Sequence, residues 1–244
     1  MDFISGEILY IDKPLGWTSF DAVKRLRGAL QRRLGLKKFK VGHAGTLDPL
    51  ATGVLIVCTG RATRLIDTLQ AGVKEYVATL QLGATTPSFD LEKKIDSTYP
   101  TDHITRELIE ETLPQFRGSI MQVPPVFSAV KVDGKRAYKF ARKGAEVELK
   151  PKQLQIDELE LTGFDPESMR LSIRVVCSKG TYIRALARDI GAALNSGAHL
   201  VALRRTRVGD ASEDKCLGID SALEMIESCS LEFPDWYERP DKEN

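Results

Sequence analysis

Hydrophobic and polar positions alternate along this chain with two distinct periods. Phe20, Val23, Leu26, Leu30 and Leu34 recur three or four residues apart, the spacing of one face of a helix. Thr18 or Ser19 can cap its start, Asp21 favours its positive end, and Gly35 suits the position just past its last turn. A second helical pattern runs from Thr181 to Leu194, with Ile183, Leu186, Ile190 and Leu194 on the inner side. Shorter helices are expected near Ala62–Leu69 and over Ile104–Phe116, the latter started by Thr105. Elsewhere the period is two. In Glu75–Leu82 the residues Tyr76, Ala78, Leu80 and Leu82 share one strand face, and Leu154–Phe164 and Leu171–Ser178 alternate likewise. Glu7–Asp12 reads as a short strand and Val54–Thr59 as a buried one.

Strands and helices mixed without regular β-α-β units predict an α+β fold with a mixed, largely antiparallel central sheet and flanking helices. The expected layout is one compact domain over residues 1–209, with a short acidic extension at 210–244. One stretch stands apart. Residues 124–144 (PPVFSAVKVDGKRAYKFARKG) hold two prolines, a Val-Asp-Gly turn and closely spaced basic and aromatic residues. They predict a protruding hairpin or loop with a short helix, an insertion spanning about 124–152.

Composition adds little by itself: 42% of residues are hydrophobic and 28% charged, as in an ordinary globular protein. The longest aliphatic run, Val54–Val57, is far short of the roughly 20 residues of a membrane span. The N-terminus lacks the basic and apolar regions of a signal peptide. Four cysteines without a CxxC pair, and three histidines, fit neither a zinc framework nor a disulfide scaffold, so a reducing, cytoplasmic setting is expected. Charge is more informative. The formal net charge of +1 divides into −8 over residues 210–244 (11 acidic, 3 basic) and +9 over residues 1–209 (32 basic, 23 acidic). Lys24–Lys40 holds eight Lys or Arg and no acid, and further basic clusters lie at 131–144 and in RRTR at 204–207. Repeated clusters of this kind are the footprint of a polyanion, and nucleic acid is the expected partner.

Residues 42–53 read GHAGTLDPLATG: three glycines, a proline and one carboxylate, Asp48. A turn-forming Asp before Pro, a metal ligand and a covalent nucleophile are all compatible with that local sequence. A metal would need further ligands at suitable spacing, and His43, His103 and His199 do not supply them. A carboxylate nucleophile would need a cation to keep it ionised, an aromatic surface for its substrate and a backbone able to approach closely. Arg184 is a candidate for the first, Tyr76 for the second, and Gly42, Gly45 and Gly53 for the third. Each also has an ordinary structural role open to it. No Walker loop, GxGxxG, HExxH or serine nucleophile elbow is present.

GHAGTLDPLATGVLIV resembles the catalytic motif of the TruB family of tRNA pseudouridine synthases. Four other stretches resemble that family in the same order: IDKPLGWTS at 11–19, KEYVATLQLGATT at 74–86, the insertion at 124–144, and CSKGTYIRALARDIG at 177–191 followed by GAHLVALRRTRVG at 197–209. The resemblance implies a pseudouridine synthase fold and isomerisation of uridine at position 55 in the T-arm of tRNA. It implies Asp48 as the nucleophile, attacking ribose C1′ or the uracil ring. Tyr76 would stack on the flipped uracil and take part in removing the C5 proton, and Arg184 would pair with Asp48. Leu203 would wall the uracil pocket, His43 would hold the opened RNA loop, and Tyr182 and Lys13 would support substrate binding. No cofactor is implied, and the expected partner is the tRNA T-arm stem-loop, with no membrane and no obligatory protein partner for a monomer.

The resemblance departs from the family at two places. Longer members carry a C-terminal RNA-binding PUA domain, for which residues 210–244 are too few and too acidic. After Thr86, where the family usually has an acidic residue, this chain has Pro87-Ser88-Phe89 before Asp90. Two other functions stay open at this point. One is an RNA-binding or RNA-folding protein without catalysis, a role that can coexist with the enzyme. The other is a guide-RNA-dependent relative that works with protein partners.

Overall fold

A computed structural model describes residues 1–128, 130–132, 135–137 and 149–237. In chain order the strands and helices are β1 (Ile8–Lys13), α1 (Ser19–Leu34), β2 (Val41–Ala44), β3 (Ala51–Thr59), α2 (Ile66–Ala71), β4 (Lys74–Leu82), β5 (Ala84–Thr85), β6 (Ser97–Thr98), α3 (Arg106–Thr112) and β7 (Gly118–Gln122). They continue with β8 (Lys131–Val132), β9 (Lys135–Arg136), β10 (Lys152–Asp165), β11 (Arg170–Cys177), α4 (Ile183–Ala193), β12 (Ala198–Val208), β13 (Ala211–Ser212) and α5 (Ile219–Ser228). The fold is α+β with a mostly antiparallel sheet. The chain divides into two compact units, Met1–Lys74 with Arg204–Asn244, and Glu75–Leu203.

In the first unit β3 is the organising strand. It pairs antiparallel with β1, where Ile11 faces Leu55, and with β2, where His43 faces Val57. Both faces of β3 are covered. Leu55 and Val57 join a core with Leu9, Ile11, Val23, Leu26 and Leu30, while Val54, Ile56 and Cys58 join another with Ala44, Ala62, Val208 and Ala211. Two-sided burial is why β3 reads as a continuous apolar run and not as an alternation.

Helix α1 starts as its sequence requires. Thr18 accepts from the Asp21 N–H, and the Asp21 carboxylate accepts from the Thr18 N–H, a reciprocal capping box worth about 1 kcal/mol. Gly35 ends it in the left-handed conformation (φ 70°), and its N–H reaches back to the last turn. The buried stripe is Ser19, Ala22, Val23, Leu26, Ala29 and Leu30. Leu26 and Leu30 are fully buried, at about 2 kcal/mol each. Phe20 is not part of that stripe; it is 56% exposed. At 100° per residue Ala22 and Ala29 carry the stripe to the side away from Phe20.

Residues after 209 contribute more structure than a charged extension implies. β13 pairs with the end of β12, and α5 buries Ala222 and Ile226 in the core beneath α1.

In the second unit β10 pairs antiparallel with both β11 and β7. Strand β4 buries Tyr76, Ala78, Leu80 and Leu82 on one face, as its alternation predicts. Thr105 caps α3 by accepting from the Leu108 N–H, and a 3-10 turn, Leu113–Phe116, continues it. Of the basic insertion, β8 and β9 form a two-stranded ladder. Its expected short helix lies outside the described residues.

Candidate active site

The loop holding Asp48 is fastened on both sides by groups from other segments. On its N-terminal side, the Ser19 hydroxyl accepts from the Leu47 N–H at 2.8 Å and donates to the Leu47 carbonyl at 3.1 Å. On its C-terminal side, the Pro49 carbonyl accepts from the Gly16 N–H at 2.8 Å, and Lys13 Nζ lies 3.5 Å from the same oxygen. The Ala51 N–H donates to the Asp48 carbonyl, closing a four-residue turn with Pro49 at its second position, where proline's fixed φ fits. The carboxylate that these contacts carry is half-buried.

Two buried cations complete the support. Lys13 is fully buried, and its ammonium also donates to the carbonyls of Pro14 (2.8 Å) and Trp17 (2.6 Å). Burial lowers its pKa to about 8, against the attraction of the Asp48 carboxylate, which pulls it upward. Arg205, 1% exposed, donates from Nε to the Val54 carbonyl (2.8 Å) and from Nη2 to the Gly45 carbonyl (3.0 Å). Gly45 and Gly53 have positive φ (88° and 98°), and a side chain at Gly53 would overlap the Arg205 backbone. The glycines thus make room for an arginine as well as shaping a turn.

His43 lies on β2, half-buried, with Nδ1 lacking a hydrogen-bond partner among the described residues. Burial and then the Arg205 cation hold its pKa below the ordinary value. Neighbouring Arg204 forks onto Asp12 at 3.0 and 3.1 Å and reaches Glu213 at 2.7 Å. RRTR is therefore no free phosphate-binding cluster, since one of its arginines is internal and another is committed to carboxylates.

Asp48, His43 and Lys13 belong to the first unit; Tyr76, Tyr182, Arg184 and Leu203 belong to the second. Tyr76 is buried on β4, and Leu203 is half-buried on β12. Tyr182 stands at the N-cap position of α4, and the Gln122 side chain clasps its backbone, accepting from its N–H at 2.9 Å and donating to its carbonyl at 3.2 Å. Arg184, 5% exposed in the first turn of α4, donates to the carbonyls of Ser88 (3.1 Å) and Phe127 (2.9 Å), and its Nε is 3.6 Å from the Asp90 carboxylate. A buried arginine held this way is a fixed cation, not a surface one. Asp90, whose position is kept although Pro87 stands directly after Thr86, thus has a structural partner. Sequence reasoning missed Arg205, Ser19 and Gln122 as supports; the only signal for Arg205 was the pair of glycines it sits against.

The family model described as TruB family pseudouridylate synthase (N terminal domain) matches residues 31–183, and that of the tRNA pseudouridylate synthase B C-terminal domain matches residues 184–230. The chain belongs to the TruB pseudouridine synthase family. As a member it is an isomerase that makes pseudouridine from uridine in tRNA. This synthase is 65% identical over 233 residues to tRNA pseudouridine synthase B of Phocaeicola vulgatus, covering 95% of this chain and 98% of the relative. To the protein of that name from Mycobacterium bovis it is 43% identical over 235 residues, covering 93% of this chain and 77% of the relative. Among solved structures, a chain of a Cbf5-Nop10-Gar1 complex superposes with a TM-score of 0.68 at 30% identity, covering 92% of this synthase. This synthase spans 55% of that chain's length.

Proposed function

We propose that this synthase acts on the uridine at position 55 in the T-arm of tRNA, with Asp48 as nucleophile. The observation that carries the reading is the fastening of Asp48: hydrogen bonds to Leu47 and Pro49 fix the residues on either side of one half-buried carboxylate. A nucleophile needs that fixed approach, whereas a turn-forming aspartate does not. The near full-length agreement with enzymes named tRNA pseudouridine synthase B supports the substrate class and favours a stand-alone enzyme over a guide-dependent one.

The chemistry balances without a cofactor. The C1′–N1 bond breaks as Asp48 engages ribose C1′ or the uracil ring, the uracil turns, and C1′ bonds to C5. The C5 proton leaves and N1 gains one, so no electrons are exchanged with a second reactant. Tyr76 supplies the aromatic surface for the uracil and a route for the C5 proton, and Arg184 supplies the cation that keeps the nucleophile ionised. Leu203 walls the uracil, while His43, Tyr182 and Lys13 support binding. The uridine must leave its stack, at a cost of a few kcal/mol. Phosphate contacts from the Lys24–Lys40 segment offset that cost; all of its cations except Arg27 are exposed. The enzyme works as a cytoplasmic monomer without an obligatory partner, and no described helix is long and apolar enough to cross a membrane. A contribution to tRNA folding follows from the same opening of the T-arm.

The test is tritium release from a T-arm transcript labelled at uridine C5. One label released per RNA by purified protein alone supports the reading. Tight RNA binding without release leaves an RNA-binding protein, and release only with added guide RNA and proteins leaves the guide-dependent alternative.

A further inference from the structure

The segment that brackets Asp48 also carries two large apolar side chains into solvent. Leu15 is 63% exposed and Phe20 is 56% exposed. Both are close in sequence to residues bonded to the loop: Gly16 holds the Pro49 carbonyl, and Ser19 holds Leu47. Leu15 and Phe20 are thus tied, through the residues beside them, to the same backbone that positions the carboxylate. Neither side chain contributes to the core beneath α1, which Ala22, Val23, Leu26, Ala29 and Leu30 close without them.

The surroundings of Phe20 identify what would rest on it. The Arg27 guanidinium lies over its ring, 5.5 Å from the centroid, seven residues or two turns further along α1. Lys24, exposed, lies on the same side of the helix, and no acid occurs between Lys24 and Lys40. A protein partner or a second copy would have to bury this positive field. A nucleic acid would complement it. An exposed aromatic ring with a cation on it and more cations alongside is how proteins hold an unstacked base: the ring takes the base face and the cations take the phosphates.

We propose that Leu15 and Phe20 form a platform for an unpaired base of the RNA next to the isomerised uridine, with Phe20 stacking on it and Arg27 and Lys24 holding its phosphates. This rests on the reading of Asp48 as the nucleophile acting on RNA. Extruding one nucleotide from a folded loop leaves its neighbours without a stacking partner, and the platform replaces that partner at the mouth of the site. Phe20 and Leu15 are binding residues here and take no part in bond making.

The experiment uses the full chain and a T-arm transcript with 2-aminopurine at each position flanking the target in turn. In the Asp48→Asn background, Phe20→Ala is expected to weaken RNA binding about tenfold, the scale of one base–aromatic stack. It should also abolish the fluorescence change of one flanking 2-aminopurine, while Phe20→Trp restores both. With Asp48 present, Phe20→Ala should raise KM about as much, leave kcat within about twofold, and leave the melting temperature unchanged. Unchanged affinity and an unchanged 2-aminopurine signal at every flanking position would overturn the platform, as would an effect of Phe20→Ala on self-association alone. Should wild type bind RNA without releasing tritium while Phe20→Ala still weakens binding, the platform stands and the nucleophile reading fails.

Discussion

The Arg205 guanidinium donates to the carbonyl oxygen of Gly45 at 3.0 Å, three residues before the carboxylate of Asp48. The same side chain reaches the Val54 carbonyl, beyond the other end of the loop, so one buried cation spans the GHAGTLDPLATG segment. Replacing Arg205 with Met removes the side-chain donors to both carbonyls. The expected loss is about 3 kcal/mol of folding stability. Because the loop loosens, kcat should fall more than tenfold. Arg205→Lys can satisfy one carbonyl and should recover only part of either quantity. Denaturant melts and steady-state kinetics on the three proteins check this, and equal kcat for Arg205→Met and wild type would refute it.

Gly53 reports on the same packing from the other side. Its φ of 98° is strained for any side chain, and a Cβ would meet the Arg205 backbone, which cannot swing away as a flexible side chain can. Gly53→Ala should destabilise the fold by about 2 kcal/mol or more. Gly218→Ala, at a position with open space and an ordinary extended conformation, serves as the control with a small effect.

Lys13 makes a pH prediction with two signs. Its ammonium has three donors for the carbonyls of Pro14, Trp17 and Pro49, and loses one of them with its charge above pH 8. The kcat profile should show an alkaline decline centred near pH 8, which Lys13→Arg shifts upward at reduced kcat. Stability should move the other way. Between pH 8 and 10.5 the unfolded chain holds this proton and the folded chain does not, so the contribution of Lys13 to stability rises with pH across that window. A flat kcat profile from pH 7 to 9.5 would contradict the assignment.

His43 provides an acid-side counterpart. Its pKa is held below 6.5 by burial and by Arg205, so the unfolded chain takes up this proton first as pH falls. Stability from this group is intact above pH 6.5 and is lost as pH drops through the lower folded value. An NMR titration should place the His43 imidazole midpoint below 6.5, and His43→Asn should flatten the acid side of the stability profile. A midpoint at or above 6.5 would contradict it.

What the sequence made legible follows from how local each signal was. Helix α1 could be read nearly residue by residue because its cap, stripe and terminating glycine all lie within the helix or beside it. Strand β4 was legible through its alternation. Phe20 was misplaced because a three-residue spacing from Val23 does not say which edge of the stripe a small alanine will occupy. Arg204 and Arg205 looked like part of a phosphate-binding cluster because charge is visible in sequence and burial is not. Their partners, Asp12, Glu213, Val54 and Gly45, lie elsewhere in the chain. The acidity of residues 210–244 concealed α5 in the same way: Ala222 and Ile226 are four apart, but acidic residues flank them on both sides. At the candidate site, motif resemblance picked out the residues expected to meet the substrate and none of the hydrogen bonds that support them.

The most direct test of the account is to map pseudouridine at nucleotide resolution in full-length tRNA treated with wild type and with Asp48→Asn, each checked for equal RNA affinity. The account predicts one pseudouridine per tRNA, at position 55 in the T-arm, with wild type, and none with Asp48→Asn. Conversion by Asp48→Asn at the wild-type rate would contradict it.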